Sequence, residues 1–365
     1  MATLLQRLDN WLLKNTGVPL AQRVFFTENL KVMIHAGLSM SEALNTLALQ
    51  AESKTLKRVI SDVKTDVESG KLLSAGMHRY PKIFSDIFVS MIEIGEVSGT
   101  LEQSLEELTQ QMKKDYELRS KVKGAMTYPI VIMVAMLGIT GGLLAFVLPK
   151  LLAIFKEFGD IKLPLPTRIL IAVSDFTSEN GILVVGALIG FVIALVLFYR
   201  TKVGRSWFDA ALINGPIIGP IARKVNLARF SRTISGLLRT DIPVVQAFEV
   251  TAKVLANVHF NRAVKSVAER VKKGETISKS LGVHAKLFPP LVIQMVYVGE
   301  RSGNVDELLG EIAEFYENQV DQVLDNLSSV IEPVLILFLG GMVGGIALSV
   351  MMPMYALTQA VAESN

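Results

Sequence analysis

Gly95-Glu96-Val97-Ser98-Gly99 and Gly299-Glu300-Arg301-Ser302-Gly303 are one short turn written twice in the same chain. The register around them holds at a constant shift of 204, the separation of Phe26 from Phe230. Upstream, Ala43 meets Ala247, Gly70 meets Gly274 and Phe84 meets Phe288; downstream, Leu105 meets Leu309, Pro129 meets Pro333 and Pro149 meets Pro353. No gap is needed from Phe26 to Pro149. Self-similarity at a fixed period marks a duplicated structural unit, and recognising it decides how the rest of the chain is read.

Inside each unit the apolar spacing is helical. Phe26, Leu30 and Met33 recur at three- and four-residue steps, Gly37 ends that helix, and Ser39 with Glu42 forms a capping box for the next. The counterpart of that second helix begins at Pro243, a residue suited to a first turn. The last helix of each unit follows the Gly-rich turn, with Thr100 and Gln103, or Asn304 and Glu307, as cap and third-position partner. Its core stripe is expected to run Leu101, Leu105, Leu108, Met112 and Tyr116, repeated as Val305, Leu308, Leu309, Ile312, Phe315 and Tyr316. There is no strand-like alternation, so each unit is predicted to be an all-α bundle.

Only 19% of the 365 residues are charged and the mean hydropathy is +0.43, against about 25% charged in an ordinary soluble domain. The shortfall sits in three uncharged runs: Gly124–Pro149, Asn180–Tyr199 and Pro333–Ala362. About 20 apolar residues cross a bilayer, so each run suffices for one span. The N-terminus, with Arg7, Asp9 and Trp11, lacks the apolar core of a signal peptide, which leaves insertion to an internal anchor. Arg119, Lys121 and Lys123 precede the first run, and Arg200, Lys202 and Arg205 follow the second. Cations favour the cytoplasmic side, which places both bundles there. Two bundle-plus-span units in simple tandem would leave the second bundle outside; the unduplicated run at 180–199 returns the chain.

The expectation is an all-α integral membrane protein with two homologous cytoplasmic helical bundles and three transmembrane helices. Residues 1–20 form a short amphipathic segment and 21–123 the first bundle. Residues 124–149 form the first span, 150–179 an exterior loop and 180–199 the second span. Residues 200–331 form the second bundle, 333–358 the third span and 359–365 an exterior tail. The N-terminus is then cytoplasmic and the C-terminus exterior.

Several kinds of chemistry have no residues to carry them. There is no cysteine, and the four histidines (His35, His78, His259 and His284) are scattered, so no metal or cofactor is expected. No phosphate-cradling G-x-x-x-x-G-K-[ST] loop, G-x-S-x-G elbow or H-E-x-x-H pair occurs, and no enzymatic activity is expected. A net charge of +3, evenly spread, does not suggest nucleic-acid binding. Gly138, Gly141 and Gly142, with Gly340, Gly341, Gly344 and Gly345, favour close contact between spans, within the chain or between copies.

The paired Gly-Glu-x-Ser-Gly turns resemble those of the type II secretion F family, the inner-membrane platform proteins of type IV pilus and type II secretion machines. Leu163-Pro164-Leu165-Pro166-Thr167-Arg168, then Ser174-Asp175-Phe176, is similar to the family's lead into the second span. Gly215-Pro216-Ile217-Ile218-Gly219-Pro220 with Ala228-Arg229-Phe230 resembles its lead into the second repeat, and Glu332-Pro333 with Pro353-Met354-Tyr355 its last span. The resemblance covers residues 20–360. Two departures stand out: many relatives carry an extra N-terminal segment, and Thr240-Asp241 stands where the first repeat has Ala36-Gly37.

The resemblance implies a non-enzymatic scaffold. It would engage a cytoplasmic hexameric assembly ATPase, pilin or pseudopilin and other inner-membrane assembly proteins, and form a homo-oligomer. A dimerising membrane adaptor or a transporter-associated subunit unrelated to pili is the alternative. The glycines Gly95, Gly99, Gly299 and Gly303 are expected to set the turns. Glu96 and Glu300 either cap a helix or answer an internal cation, or else meet the ATPase or a cation at an oligomer interface. Glu307, Glu311 and Glu314 begin an acidic stripe that continues to Asp321 and Asp325. That stripe is either solvated or packed beside the basic run Arg262, Lys265, Lys272 and Lys273, or it docks a basic partner surface.

Overall fold

The computed structural model describes residues 17–142, 180–215, 218–240 and 242–363. Most of the expected N-terminal amphipathic segment, the expected exterior loop at 150–179 and the end of the first apolar run lie outside them. Among the described residues every regular element is a helix.

The first repeat consists of α1 (Leu20–His35), α2 (Met40–Gln50), α3 (Lys54–Glu68), α4 (Leu73–His78), α5 (Asp86–Ser98) and α6 (Leu101–Gly142). After α7 (Gly181–Arg200) and α8 (Lys202–Asn214), the second repeat follows as α9 (Ile218–Arg239), α10 (Val244–Val254), α11 (Val258–Lys272), α12 (Ile277–Gly282), α13 (Pro290–Ser302) and α14 (Val305–Glu363). The bounds of α2 to α5 map onto those of α10 to α13 residue for residue at the shift of 204, as does the start of α6 onto that of α14.

Local chemistry explains the boundaries. The Ser39 hydroxyl accepts from the Glu42 N–H while the Glu42 carboxylate accepts from the Ser39 N–H, a complete capping box at the start of α2. Gly37, Gly70, Gly99, Gly274 and Gly303 all have positive φ, the left-handed region that ends helices and favours glycine. Ser53 caps α3 and Asn257 caps α11.

The cores repeat as well. Phe26 meets Phe84 at 5.8 Å between ring centres, and Phe230 meets Phe288 at 4.9 Å. All four rings are buried, together with Leu105 and Leu309 from the last helices. The expected stripe needs one correction: Tyr116 and Phe315 are 43% exposed, and Phe315 holds the position that Gln111 holds in α6, which faces Thr233 of the other bundle rather than its own core.

The two bundles, Met1–Ser120 and Ser206–Asp321, form one compact unit, and Lys121–Arg205 with Gln322–Asn365 form a second. In the second unit large apolar side chains are left uncovered, among them Val134, Ile139, Phe191 and Leu337. Water would penalise such surface. Among the described residues α6 contains one stretch long and apolar enough to cross a membrane, and shorter apolar stretches lie at Ile189–Arg200 and Leu335–Gly345. The helix continues through Pro129 in α6 and through Pro333 in α14.

Candidate functional site

The duplicated turn is built twice from the same parts. Gly99 and Gly303 end α5 and α13 at φ 74° and 81°. One turn earlier, Gly95 and Gly299 let the following helix approach. A Cβ on Gly95 would lie 2.6 Å from the Ser104 Oγ and 2.9 Å from the Leu101 Cα; one on Gly299 would lie 2.9 Å from the Val305 Cα. The first glycine of each motif is therefore required by packing and the last by backbone conformation.

The glutamate between them faces inward. The Glu96 carboxylate accepts from the backbone N–H of Leu73 at 2.5 Å and of Ser74 at 2.9 Å. Glu300 accepts from the N–H groups of Ile277 and Ser278 and from the Ser278 hydroxyl. Each carboxylate closes the exposed start of a six-residue helix, α4 or α12, whose N–H groups have no carbonyl of their own to bind. The negative charge also suits that helix end. Glu96 and Glu300 sit in separate repeats, each serving its own bundle.

Glu307, Glu311 and Glu314 lie together on α14 and are all exposed. The Asn304 amide reaches Glu307 at 3.4 Å. The basic run Arg262, Lys265 and Lys272 lies exposed on α11.

A further constellation lies on the seam between the two bundles. Gln103 of α6 donates to the Arg239 carbonyl at 3.3 Å, and Gln111 donates to the Thr233 hydroxyl at 3.1 Å. Asp115 pairs with Arg229 at 2.9 Å, Glu107 with Arg239 at 3.9 Å, and Asp86 of α5 with Lys253 of α10 at 2.9 Å. A cavity of about 360 Å³, lined in part by Arg23, Lys114, Arg119 and Arg229, opens on this seam. Burial, and then the Arg119 charge, hold the Arg23 guanidinium below its ordinary pKa, and burial does the same to Arg229. Burial pushes the Glu107 carboxyl up, with Arg239 opposing. The seam thus carries paired charges and polar hydrogen bonds beside an apolar core that runs through both bundles. Sequence reading missed it. The signal was present in the mixed face Gln103, Glu107, Gln110 and Lys114, which differs from the acidic face at matched positions of the second copy.

Within each bundle one ion pair occupies the same place with its signs exchanged. Lys113 pairs with Glu28 at 2.5 Å, and at the matched positions Glu317 pairs with Arg232 at 2.8 Å. Among the described residues no group of three or more His, Asp or Glu side chains converges as a metal site. The arrangement binds helices to helices.

The sequence that builds this duplicated helical bundle has known relatives. The family model described as Type II secretion system (T2SS), protein F matches residues 26–149 and again residues 230–353. The type IV pilus assembly protein PilC of Myxococcus xanthus is 35% identical over 94% of this chain and 82% of its own length. The protein of the same name from Thermus thermophilus is 34% identical over 93% of this chain and 83% of its own. The type II secretion system protein F of Vibrio cholerae is 33% identical over 92% of this chain and 82% of its own. The chain belongs to the type II secretion system protein F family.

Proposed function

We propose that this protein is a non-enzymatic inner-membrane platform of a type IV pilus or type II secretion machine. It couples a cytoplasmic hexameric ATPase to the assembly of pilin or pseudopilin subunits. The observation that carries this reading is the match of both repeats to one family whose named relatives serve pilus assembly and type II secretion.

The compact unit formed by the two bundles supports a specific topology. Bundles joined by ion pairs such as Asp115–Arg229 must lie on the same side of a membrane. The chain between them therefore crosses an even number of times, and Gly124–Pro149 and Asn180–Tyr199 supply two crossings. The apolar part of α14 then supplies a third.

Glu96 and Glu300 we assign to holding each bundle together, since their carboxylates are engaged by helix N–H groups. The exposed edge with Glu307, Glu311 and Glu314 is the partner-facing surface of the second bundle. Deletion of the gene should abolish surface filaments or secretion, with restoration by the wild-type copy. Replacement of all three glutamates by lysine should abolish assembly at unchanged protein level. A deletion strain that keeps both filaments and secretion would sink the platform reading.

A further inference from the structure

The cavity of about 360 Å³ on the seam between the bundles is walled entirely by residues of the one compact unit that the bundles form. That wall is strongly basic. Arg23, Lys114, Arg119, Arg229, Arg232 and Lys253 line it, against three carboxylates, Asp86, Asp115 and Glu317. Each carboxylate is already engaged. Asp115 holds Arg229 through one oxygen at 2.9 Å and Arg119 through the other at 2.7 Å. Glu317 holds Arg232 through both of its oxygens, at 2.9 Å and 2.8 Å, and Asp86 holds Lys253. Among the described residues no carboxylate pairs with Arg23, whose Nη1 donates to the Ile83 carbonyl at 3.1 Å.

The donors outnumber the acceptors as well. A guanidinium carries five N–H donors, and a buried donor left unmet is costly. The Nε–H groups of Arg23 and Arg229 are both shut off from solvent with no acceptor. Burial, and then the Arg119 charge, already disfavour the charged form of Arg23. The bundle fold itself does not require this charge. At the shift of 204, Arg23, Lys114, Arg119, Arg229 and Lys253 correspond to Leu227, Asn318, Val323, Phe25 and Leu49, none of them charged. The same helices form without it, and the basic wall is built once, where the two repeats meet.

We propose that this cavity binds a phosphate-bearing ligand, whose phosphoryl oxygens accept from the guanidinium groups of Arg23, Arg119 and Arg229. Arginine forks match phosphate oxygens with paired hydrogen bonds. Six lining cations against three carboxylates leave an excess of three, which suits a multivalent phosphate better than a single carboxylate. Small-molecule pockets measure about 300–1,000 Å³, so the cavity has room for more of the ligand than its phosphoryl group. Arg119 stands shortly before Gly124, where the first uncharged run begins. A lipid headgroup and a soluble phosphate compound are therefore both sources of this chemistry.

The full-length protein in nanodiscs of neutral phosphatidylcholine should be stabilised by pyrophosphate, read as a rise in unfolding temperature that chloride at equal ionic strength does not produce. Absence of that rise overturns the proposal without any variant. In titration calorimetry Arg23→Gln should weaken pyrophosphate binding by at least about tenfold, the loss expected for charge-assisted hydrogen bonds. Arg119→Gln should weaken it too, and its side chain is 58% exposed while Asp115 keeps Arg229, so this variant folds even where Arg23→Gln does not. Lys265→Gln with Lys272→Gln, which removes exposed charge from α11, should leave binding unchanged. An equal loss in that control, or unchanged binding in the arginine variants, would mean that the protein's overall charge attracts the anion and would refute the site. Adding phosphatidylglycerol to the nanodiscs separates the sources: competition with pyrophosphate assigns the site to a lipid headgroup, and its absence to a soluble phosphate compound. None of these measurements involves filaments or secretion, so failure here leaves the platform reading to its own test.

Discussion

An alanine at position 95 has no room for its methyl group. The Cβ would lie 2.9 Å from the Leu101 Cα, which is backbone and cannot swing aside. Such overpacking costs about 1–3 kcal/mol, and Gly95→Ala should lower stability by that order in thermal unfolding of the purified protein. At position 99 the new methyl group meets nothing, but φ is +74°, and an L side chain there costs about 1–2 kcal/mol. The two losses are separable. Asparagine tolerates the left-handed region, so Gly99→Asn should recover much of the loss, whereas Gly95→Asn should be worse than Gly95→Ala. Equal behaviour of the two asparagine variants would refute the division of roles. The sequence already marked both glycines as setting the turn. It could not assign packing to one and conformation to the other, because the first depends on how closely α6 crosses α5. Glu96 was legible as a helix cap or a contact residue, and the structure shows which N–H groups it binds.

At the scale of elements, α4 and α12 are six-residue helices that would be marginal alone. Each is held by a carboxylate from the end of the following helix. Glu96→Ala leaves the Leu73 and Ser74 N–H groups without their acceptor, at a cost of about 1–3 kcal/mol. Glu96→Gln, which keeps one acceptor oxygen, should lose less; hydrogen exchange at Leu73 and Ser74 should rise in the same order. Helices this short show no 3.6-residue period, which is why α4 and α12 escaped the sequence. The capping box of α2 and the start of α6 did not, because their signals are local. The seam escaped for another reason: it joins faces of α6 and α9 more than a hundred residues apart, and a mixed-charge face reads equally well as solvated surface. Its energetics can be tested through Glu107, whose carboxyl is raised by burial. A carboxyl raised in the folded state adds stability that is full below its ordinary value of 4.5 and lost as pH rises through the raised value. Glu107→Gln should therefore stabilise the protein near neutral pH, and the gain should vanish below that ordinary value. A constant difference across the titration would mean that burial does not govern this group.

For the whole molecule, the duplication and the three apolar runs were legible because both are long-range regularities of composition, independent of side-chain geometry. What the sequence could not reveal is that the two bundles pack into one unit. That packing strengthens the topological argument beyond the count of flanking cations. Lys253 and Asp86, Arg229 and Asp115, and Gln111 and Thr233 meet directly, which is impossible across a bilayer. Positions 120 and 206, the edges of the compact unit, then share a side, and the proposed topology answers a span before residue 150 with one after it. In the proposed topology the last apolar run has no such answer, and Asn365 is expected on the exterior side. Reporter fusions within residues 150–179 and after Asn365 should be active only with a reporter that works outside the cytoplasm, and fusions after Ser120 or Ser206 only with a cytoplasmic one. The fusion at Asn365 is decisive. An inactive exterior reporter there, at normal protein level, would mean that α14 does not cross, and that the second repeat has kept its bundle while losing the span that the first repeat retains.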